Sequence, residues 1–226
     1  MVPNEILQSV CFIKTTGTGS CFIISIEKEA HIITDRHLFQ NPVNGSKISF
    51  ELMNDNKWVQ NDATLLLHTN ANIDIAVLKM NIKRNDDFFD IGSSKKSWVS
   101  QDCYFLGFPY GMRVDDNNDI SKKINGGFPL PFVKKGIISS MLTDSNDVRI
   151  VYLDGHNNPG FSGGPVVIQN IGKSNRRMRI ISVISGYINQ RGQIKSPFGN
   201  FDSYENSGIV ISHSIDHIFE IIAQNS

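Results

Sequence analysis

The sequence predicts an all-β chain closed by a single C-terminal helix. Three observations lead there: short β-branched and aromatic runs recur from end to end, turn-forming residues separate them, and only the last segment repeats its apolar residues at helical spacing. In order, the runs are Cys21 to Ile26, His31 to Thr34, Lys47 to Leu52, Ala63 to His68, Ile75 to Met80 and Asp102 to Leu106. They continue with Val133 to Ser139, Val148 to Tyr152, Pro165 to Gln169 and Arg179 to Ser185. Asn44-Gly45, Asn54-Asp55 and Asp144-Ser145-Asn146 mark turns between them. At the end, Ile211, Ile215, Ile218, Phe219 and Ile222 share a helical stripe, with Ser212 or Ser214 available as N-cap, so a helix is expected over 211–226.

A chain of 226 residues, 40% of them apolar, can bury one sizeable core, and all-β units of this length are often single domains. Its 22 basic and 22 acidic residues cancel. That removes the footprint of a general polyanion binder, so no nucleic-acid partner is expected. The N-terminus Met-Val-Pro-Asn-Glu-Ile-Leu lacks a signal peptide's basic and apolar regions, and no apolar run approaches the roughly 18 residues of a membrane span. Cys11, Cys21 and Cys103 are odd in number, sit in apolar strand-like stretches and lack metal-ligand spacing. They read as reduced core thiols of a cytoplasmic protein with no metal and no cofactor. The stretch from Met112 to Leu130, with its acidic run Asp115 to Asp119, reads as a solvated surface loop, because it lacks the ligand spacing of an EF-hand.

The most informative segment is Gly160-Phe-Ser162-Gly-Gly164-Pro165. A tight glycine-flanked turn lets a serine hydroxyl project while backbone N–H groups converge on one point, the geometry an oxyanion needs. Ser162 is therefore a candidate nucleophile. The same letters satisfy the G-x-S-x-G elbow of an esterase, but that elbow runs into a helix, with an acid and a histidine further on. Here the strand-like Pro165-Val-Val-Ile follows, and Asp202 with His213 would have to be forced into those roles, His213 opening the terminal helix.

A serine hydroxyl is a weak nucleophile until a base takes its proton, and the base needs a third group to fix its tautomer. His37 stands at the end of the strand Ala30 to Thr34, where loops converge, whereas His31 and His68 lie inside strands. Asp74 immediately precedes an apolar run, a costly place for a carboxylate unless an imidazole N–H and backbone donors meet it. Taken singly, Asp74 could equally cap a turn and His37 could be a surface histidine; the combination carries the argument.

With these motifs in place the chain resembles the trypsin-like peptidases, the bacterial Deg/Htr type more than the digestive enzymes. Gly17-Thr-Gly-Ser-Cys-Phe-Ile-Ile, Thr34-Asp-Arg-His37, Asp74-Ile-Ala-Val-Leu, Leu106-Gly-Phe-Pro-Tyr-Gly111, Lys135-Gly-Ile-Ile-Ser-Ser140 and the serine motif follow the family's order, and Val183 to Gly186 and Gly208 to Ser212 resemble its closing strands. The resemblance implies two packed six-stranded antiparallel Greek-key β-barrels, the first over about residues 1–95 and the second over about 96–210. It implies peptide-bond hydrolysis through an acyl-enzyme, with His37 as base then acid, Asp74 as orienter, the N–H groups of Gly160 and Ser162 as oxyanion hole, and Ser185 lining the site within reach of Asp74.

Leu38 follows His37 where digestive relatives carry a cysteine, and no activation-type N-terminus is visible, so proteolytic activation is not expected. Nor are the family's peptide-binding PDZ modules expected here. Specificity should be set by His156, six residues before Ser162, with Ser185, Gly186 and Tyr187 on the pocket wall, and Tyr187 replaces the usual small residue. A preference for Lys or Arg is not expected. The expected partner is a protein or peptide substrate, with room for a regulatory protein or a homo-oligomer. Two other readings are kept: a latent enzyme awaiting such a partner, and a protease fold retained as a silent binding module.

Overall fold

The computed structural model describes residues 2–84, 90–113, 125–169, 178–197 and 199–225, so the acidic run Asp115 to Asp119 lies outside the described residues. A short helix α1 (Asn4–Ser9) leads into six strands: β1 (Val10–Lys14), β2 (Thr18–Ile26), β3 (Glu29–Thr34), β4 (Lys47–Asn54), β5 (Lys57–Leu67) and β6 (Ala76–Lys83). They close into a barrel in the order β1-β2-β3-β6-β5-β4, with β1 pairing back onto β4. Two-residue turns set the register. Glu27-Lys28 and Asp55-Asn56 both take positive φ, as the tight β2–β3 and β4–β5 hairpins require. Alternate residues then point inward, and Ile13, Cys21, Ile32, Phe50, Leu65 and Leu78 fill the barrel.

The second half contains β7 (Asp90–Ile91), β8 (Asp102–Gly107), β9 (Phe132–Thr143), β10 (Arg149–Asp154), β11 (Pro165–Gln169), β12 (Met178–Ser196) and β13 (Gly199–Ser214). Its sheet runs β11-β8-β9-β10-β13-β12-β7, and pairing of β11 with β12 closes six strands on themselves around Phe105, Phe161, Val166 and Ile184. The chain is thus a pair of six-stranded antiparallel β-barrels, as the resemblance implied.

A third apolar cluster joins the barrels, and the site lies along their junction. Phe12 of the first barrel stacks on Phe108 of the second with ring centroids 5.3 Å apart. Fully burying a Phe side chain stabilises by roughly 1.5–3 kcal/mol. Helix α2 (Asp216–Gln224) seals the same junction with Ile218 and Ile221, both fully buried.

The helix begins later than its periodicity suggested. Residues 211–214 belong to β13, where Ile211 pairs with both Tyr152 and Gly186. Isoleucines at 211, 215 and 218 satisfy a helical stripe, but β10 and β12 flank residues 211–214 on both sides, and the ladder hydrogen bonds win. Ser214 still serves the helix start, its hydroxyl accepting the Asp216 N–H at 3.2 Å. Strands β12 and β13 also continue past the barrel as a two-stranded ribbon from Asn189↔Asn206 to Ser196↔Gly199, which no sequence pattern announced.

All three cysteines are buried and unpaired. Burial pushes the Cys21 thiol well up, and pushes Cys103 up to about 12, so these are inert core groups.

Candidate active site

Three loop ends meet at the junction between the barrels. After β3 the chain makes a single turn, Arg36–Leu38, that turns His37 out to the surface. Asp74 lies in the loop just before β6, between the buried Ile73 and Ile75, whose anchoring fixes it in place. From the second barrel comes the turn that precedes β11 and carries Ser162.

Asp74 and His37 hold one another twice. The carboxylate accepts the His37 main-chain N–H at 2.9 Å through Oδ1, and meets the ring Nδ1 at 2.6 Å through Oδ2. Ser185 Oγ donates to the same Oδ2 at 2.6 Å. Burial would raise the Asp74 carboxyl, but the hydrogen bonds from His37 and Ser185 and the imidazole charge outweigh it and leave it below the ordinary aspartate value. A carboxylate so fixed places the ring proton on Nδ1. Nε2 is then the nitrogen that carries the ring's lone pair.

Below this pair, His213 of β13 accepts the Asp74 N–H through Nδ1 at 2.9 Å. Its burial lowers its pKa to about 4, so it stays neutral and an acceptor at neutral pH.

Gly160 at φ +102° and Gly163 at φ +84° let the nucleophile turn fold this tightly. A Cβ on Gly160 would lie 2.2 Å from the Phe108 carbonyl oxygen, so only glycine fits there. The turn's own carbonyls are tied back: that of Pro159 accepts the Tyr110 N–H at 2.6 Å, and that of Gly160 accepts the Ser20 hydroxyl at 2.6 Å. Among the described residues, neither the Gly160 N–H nor the Ser162 N–H donates to any protein group. Ser162 Oγ rests at 3.5 Å from the Ser185 carbonyl, a long contact, and forms no hydrogen bond with His37.

Four functional residues escaped the sequence reading. Ser20, fully buried in β2, donates its N–H to the Ser162 carbonyl at 2.7 Å and its hydroxyl to Gly160, while accepting the Phe108 N–H at 3.0 Å. Its motif was noted as a strand, but a contact across 140 residues leaves no local signal. His213 was expected to open the helix and instead braces Asp74 from a strand. Asp35 was passed over as a link between strand and histidine, although an acid following the apolar run Ile32-Ile33 was a usable sign. Asn157 is buried and donates to the Gly186 carbonyl at 3.1 Å, tying the nucleophile loop to β12. Its neighbour His156, the expected specificity residue, is exposed, and its carbonyl accepts Lys134 Nζ. Gly186 and Tyr187 lie half-buried on β12 beside the site.

Among the described residues two groups of side chains could hold a metal ion, Asp35 with His37 and Asp74, and His68 with His217 and Glu220. Near α2, His217 Nε2 accepts the Arg149 N–H at 3.0 Å, which leaves Nδ1 as the donor to Glu220 at 2.7 Å, and Arg149 shares that glutamate at 2.6 Å. This is a clamp fastening the helix to β10.

A model of the trypsin-like peptidase domain matches residues 19–173, more than half of the chain. The chain belongs to that family. The trypsin-like peptidase domain also superposes on solved structures of HtrA-type proteases. The HtrA-type protease AlgW with tripeptide has a TM-score of 0.61 at 21% identity, over 97% of this chain and 62% of that one. The same protease with decapeptide gives 0.60 at 17%, over 98% and 67%. The inactive form of the Rv3671c protease gives 0.56 at 15%, over 97% and 89%. This chain therefore spans somewhat less than two thirds of the AlgW tripeptide complex's chain, and at these identities the likeness speaks for the fold. No curated protein sequence matches it. Among the described residues, no helix of the trypsin-like peptidase domain is long and apolar enough to cross a membrane.

Proposed function

We propose that the chain is a serine endopeptidase in which Ser162 is the nucleophile, His37 the general base and acid, and Asp74 the orienter. The observation that carries this is the doubly bonded Asp74–His37 pair, to which Ser185 donates through its hydroxyl while its carbonyl lies 3.5 Å from Ser162 Oγ. Ser162 Oγ attacks the scissile carbonyl carbon as its proton passes to His37 Nε2. The resulting oxyanion is received by the unspent N–H groups of Gly160 and Ser162, each worth roughly 3–4 kcal/mol to the transition state. Collapse breaks the C–N bond, His37 returns the proton to the leaving amine, and water repeats the sequence on the acyl-enzyme. Asp74 stabilises the imidazolium in both halves.

The anchored carbonyls of Pro159 and Gly160 favour a turn that is ready without a partner, over the latent enzyme and the silent binding module. Specificity follows from Tyr187, Gly186, Ser185 and the loop carrying His156 and Asn157, on protein or peptide substrates. Three unpaired thiols suit the cytoplasm of a bacterial cell, where a regulatory partner or self-assembly would tune the enzyme rather than complete it.

The test is labelling of the purified protein by a fluorophosphonate probe, together with cleavage of an unfolded protein such as casein. Wild type should label and cleave, and Ser162→Ala and His37→Ala should abolish both. Equal labelling of the Ser162→Ala variant would refute the assignment.

A further inference from the structure

Asp35 lies two residues before His37 and is fully buried. Among the described residues neither of its carboxyl oxygens has a hydrogen-bond partner. Its Oδ2 is 3.8 Å from His37 Nδ1, and a polar atom from each of Asp35, His37 and Asp74 lies within 4.8 Å of the other two. The groups facing it are few. His37 comes from its own turn, Asp74 from the loop before β6, and Gly163 from the nucleophile turn, whose N–H is committed to the Ile184 carbonyl at 2.8 Å. No lysine or arginine among the described residues pairs with it; the adjacent Arg36 reaches the His68 carbonyl instead.

An ionised carboxylate in that position would be a buried charge without donors, set against a second carboxylate already claimed by His37 and Ser185. Such a charge is relieved by keeping its proton. We infer that Asp35 is held as a neutral carboxylic acid beneath the His37–Asp74 pair, a positioning residue that leaves Asp74 the sole anion facing the imidazole. Burial first, then the charge of Asp74, push its carboxyl well above the ordinary aspartate value. Were Asp35 charged as well, two carboxylates would face the ring Nδ1, at 2.6 Å from Asp74 and 3.8 Å from Asp35.

This has a consequence for stability that does not depend on catalysis. Unfolded, the carboxyl ionises near pH ~4. Folded, it retains its proton to higher pH, so the native state binds more protons across that window. The group's contribution is therefore fully present below pH ~4 and is lost as pH rises toward its folded value.

Asp35→Asn keeps the size and offers an N–H donor in place of the acid O–H. Its melting temperature relative to wild type should climb between pH ~4 and pH ~7, by about 3 °C or more. A gap that stays constant or narrows overturns the inference. The catalytic half rests on the proposed role of His37. There, the acidic limb of the kcat/KM pH profile of the Asn variant should coincide with that of wild type, whereas a limb displaced downward by roughly half a unit or more means that wild-type Asp35 is charged. If the Asn variant does not fold, infrared spectroscopy of wild type decides: a protonated carboxyl C=O stretch should survive at neutral pH, and its absence overturns the inference. The melting and infrared measurements need no turnover, so they judge Asp35 even if wild type cleaves nothing.

Discussion

The two sides of the candidate site are finished to different degrees. On the first-barrel side both oxygens of Asp74 are engaged, by the His37 main chain and ring and by Ser185, and the Asp74 N–H is spent on His213. On the second-barrel side the carbonyls are tied away, while two N–H groups and a serine hydroxyl are left with little to do. The difference teaches where substrate is needed. Orientation of a base must be complete beforehand, because any slack in the imidazole costs rate. An anion site must be incomplete, because its last partner is the charge that develops during reaction.

The saturated side breaks most severely when its acceptor becomes a donor. Asp74→Asn presents an amide to His37 Nδ1 and favours the tautomer with its proton on Nε2, which cannot take a proton from serine. We expect kcat to fall about 10⁴-fold, the magnitude of the corresponding change in the classical triad, with the melting temperature little altered. Steady-state kinetics on a peptide substrate checks this, and a loss under about tenfold would mean that Asp74 does not set the tautomer.

The open side breaks through its backbone. Gly160→Ala places a methyl against the Phe108 carbonyl in a conformation that L-residues avoid. The turn must shift, carrying one of the two N–H groups out of place. A fall of about 10²–10³ in kcat with a smaller change in KM is expected. Equal damage to kcat and to stability would instead mark Gly160 as a purely structural glycine.

The smallest effect sharpens the comparison through pH. His213 is buried neutral with its pKa lowered to about 4, against an unfolded value near 6.5. Between those values the unfolded chain binds the extra proton, so this group's contribution is intact above pH ~6.5 and lost as pH falls toward ~4, on the order of 3 kcal/mol. Denaturant titrations at neutral and acidic pH should give a shallower acid loss for His213→Gln than for wild type. An identical slope would mean that the acid sensitivity arises elsewhere.

Much of this was legible in the sequence, and the reasons are local. Strands such as β11 and β3 announce themselves by β-branched runs, and the β4–β5 and β9–β10 hairpins by Asn- and Asp-containing turns. His37, Asp74 and Ser162 could be proposed because each sits in a short motif whose neighbours are themselves informative. The ribbon of β12 and β13 was missed because it leaves the core: exposed Ile194, Phe201 and Tyr204 stand among polar residues and give no alternating pattern. The start of α2 was misplaced because Ile211 fits two periodicities, and only its partners Tyr152 and Gly186 decide between them. Ser20 and Asp35 were overlooked for a different reason. What Ser20 does is defined by the Gly160 carbonyl 140 residues away, which leaves no trace in the adjoining sequence, whereas Asp35 shows only as an acid after an apolar run, with nothing local to say what it faces.

Ser20 also makes the site a gauge of how the barrels sit on each other. A single first-barrel residue grips the second-barrel turn at the Ser162 and Gly160 carbonyls and at the Phe108 N–H. Sliding one barrel along the other by even an ångström strains all three links at once and drags the anion site with it. Turnover thereby becomes a readout of interbarrel geometry, and any agent that shears that seam acts as a throttle without ever touching the reacting groups.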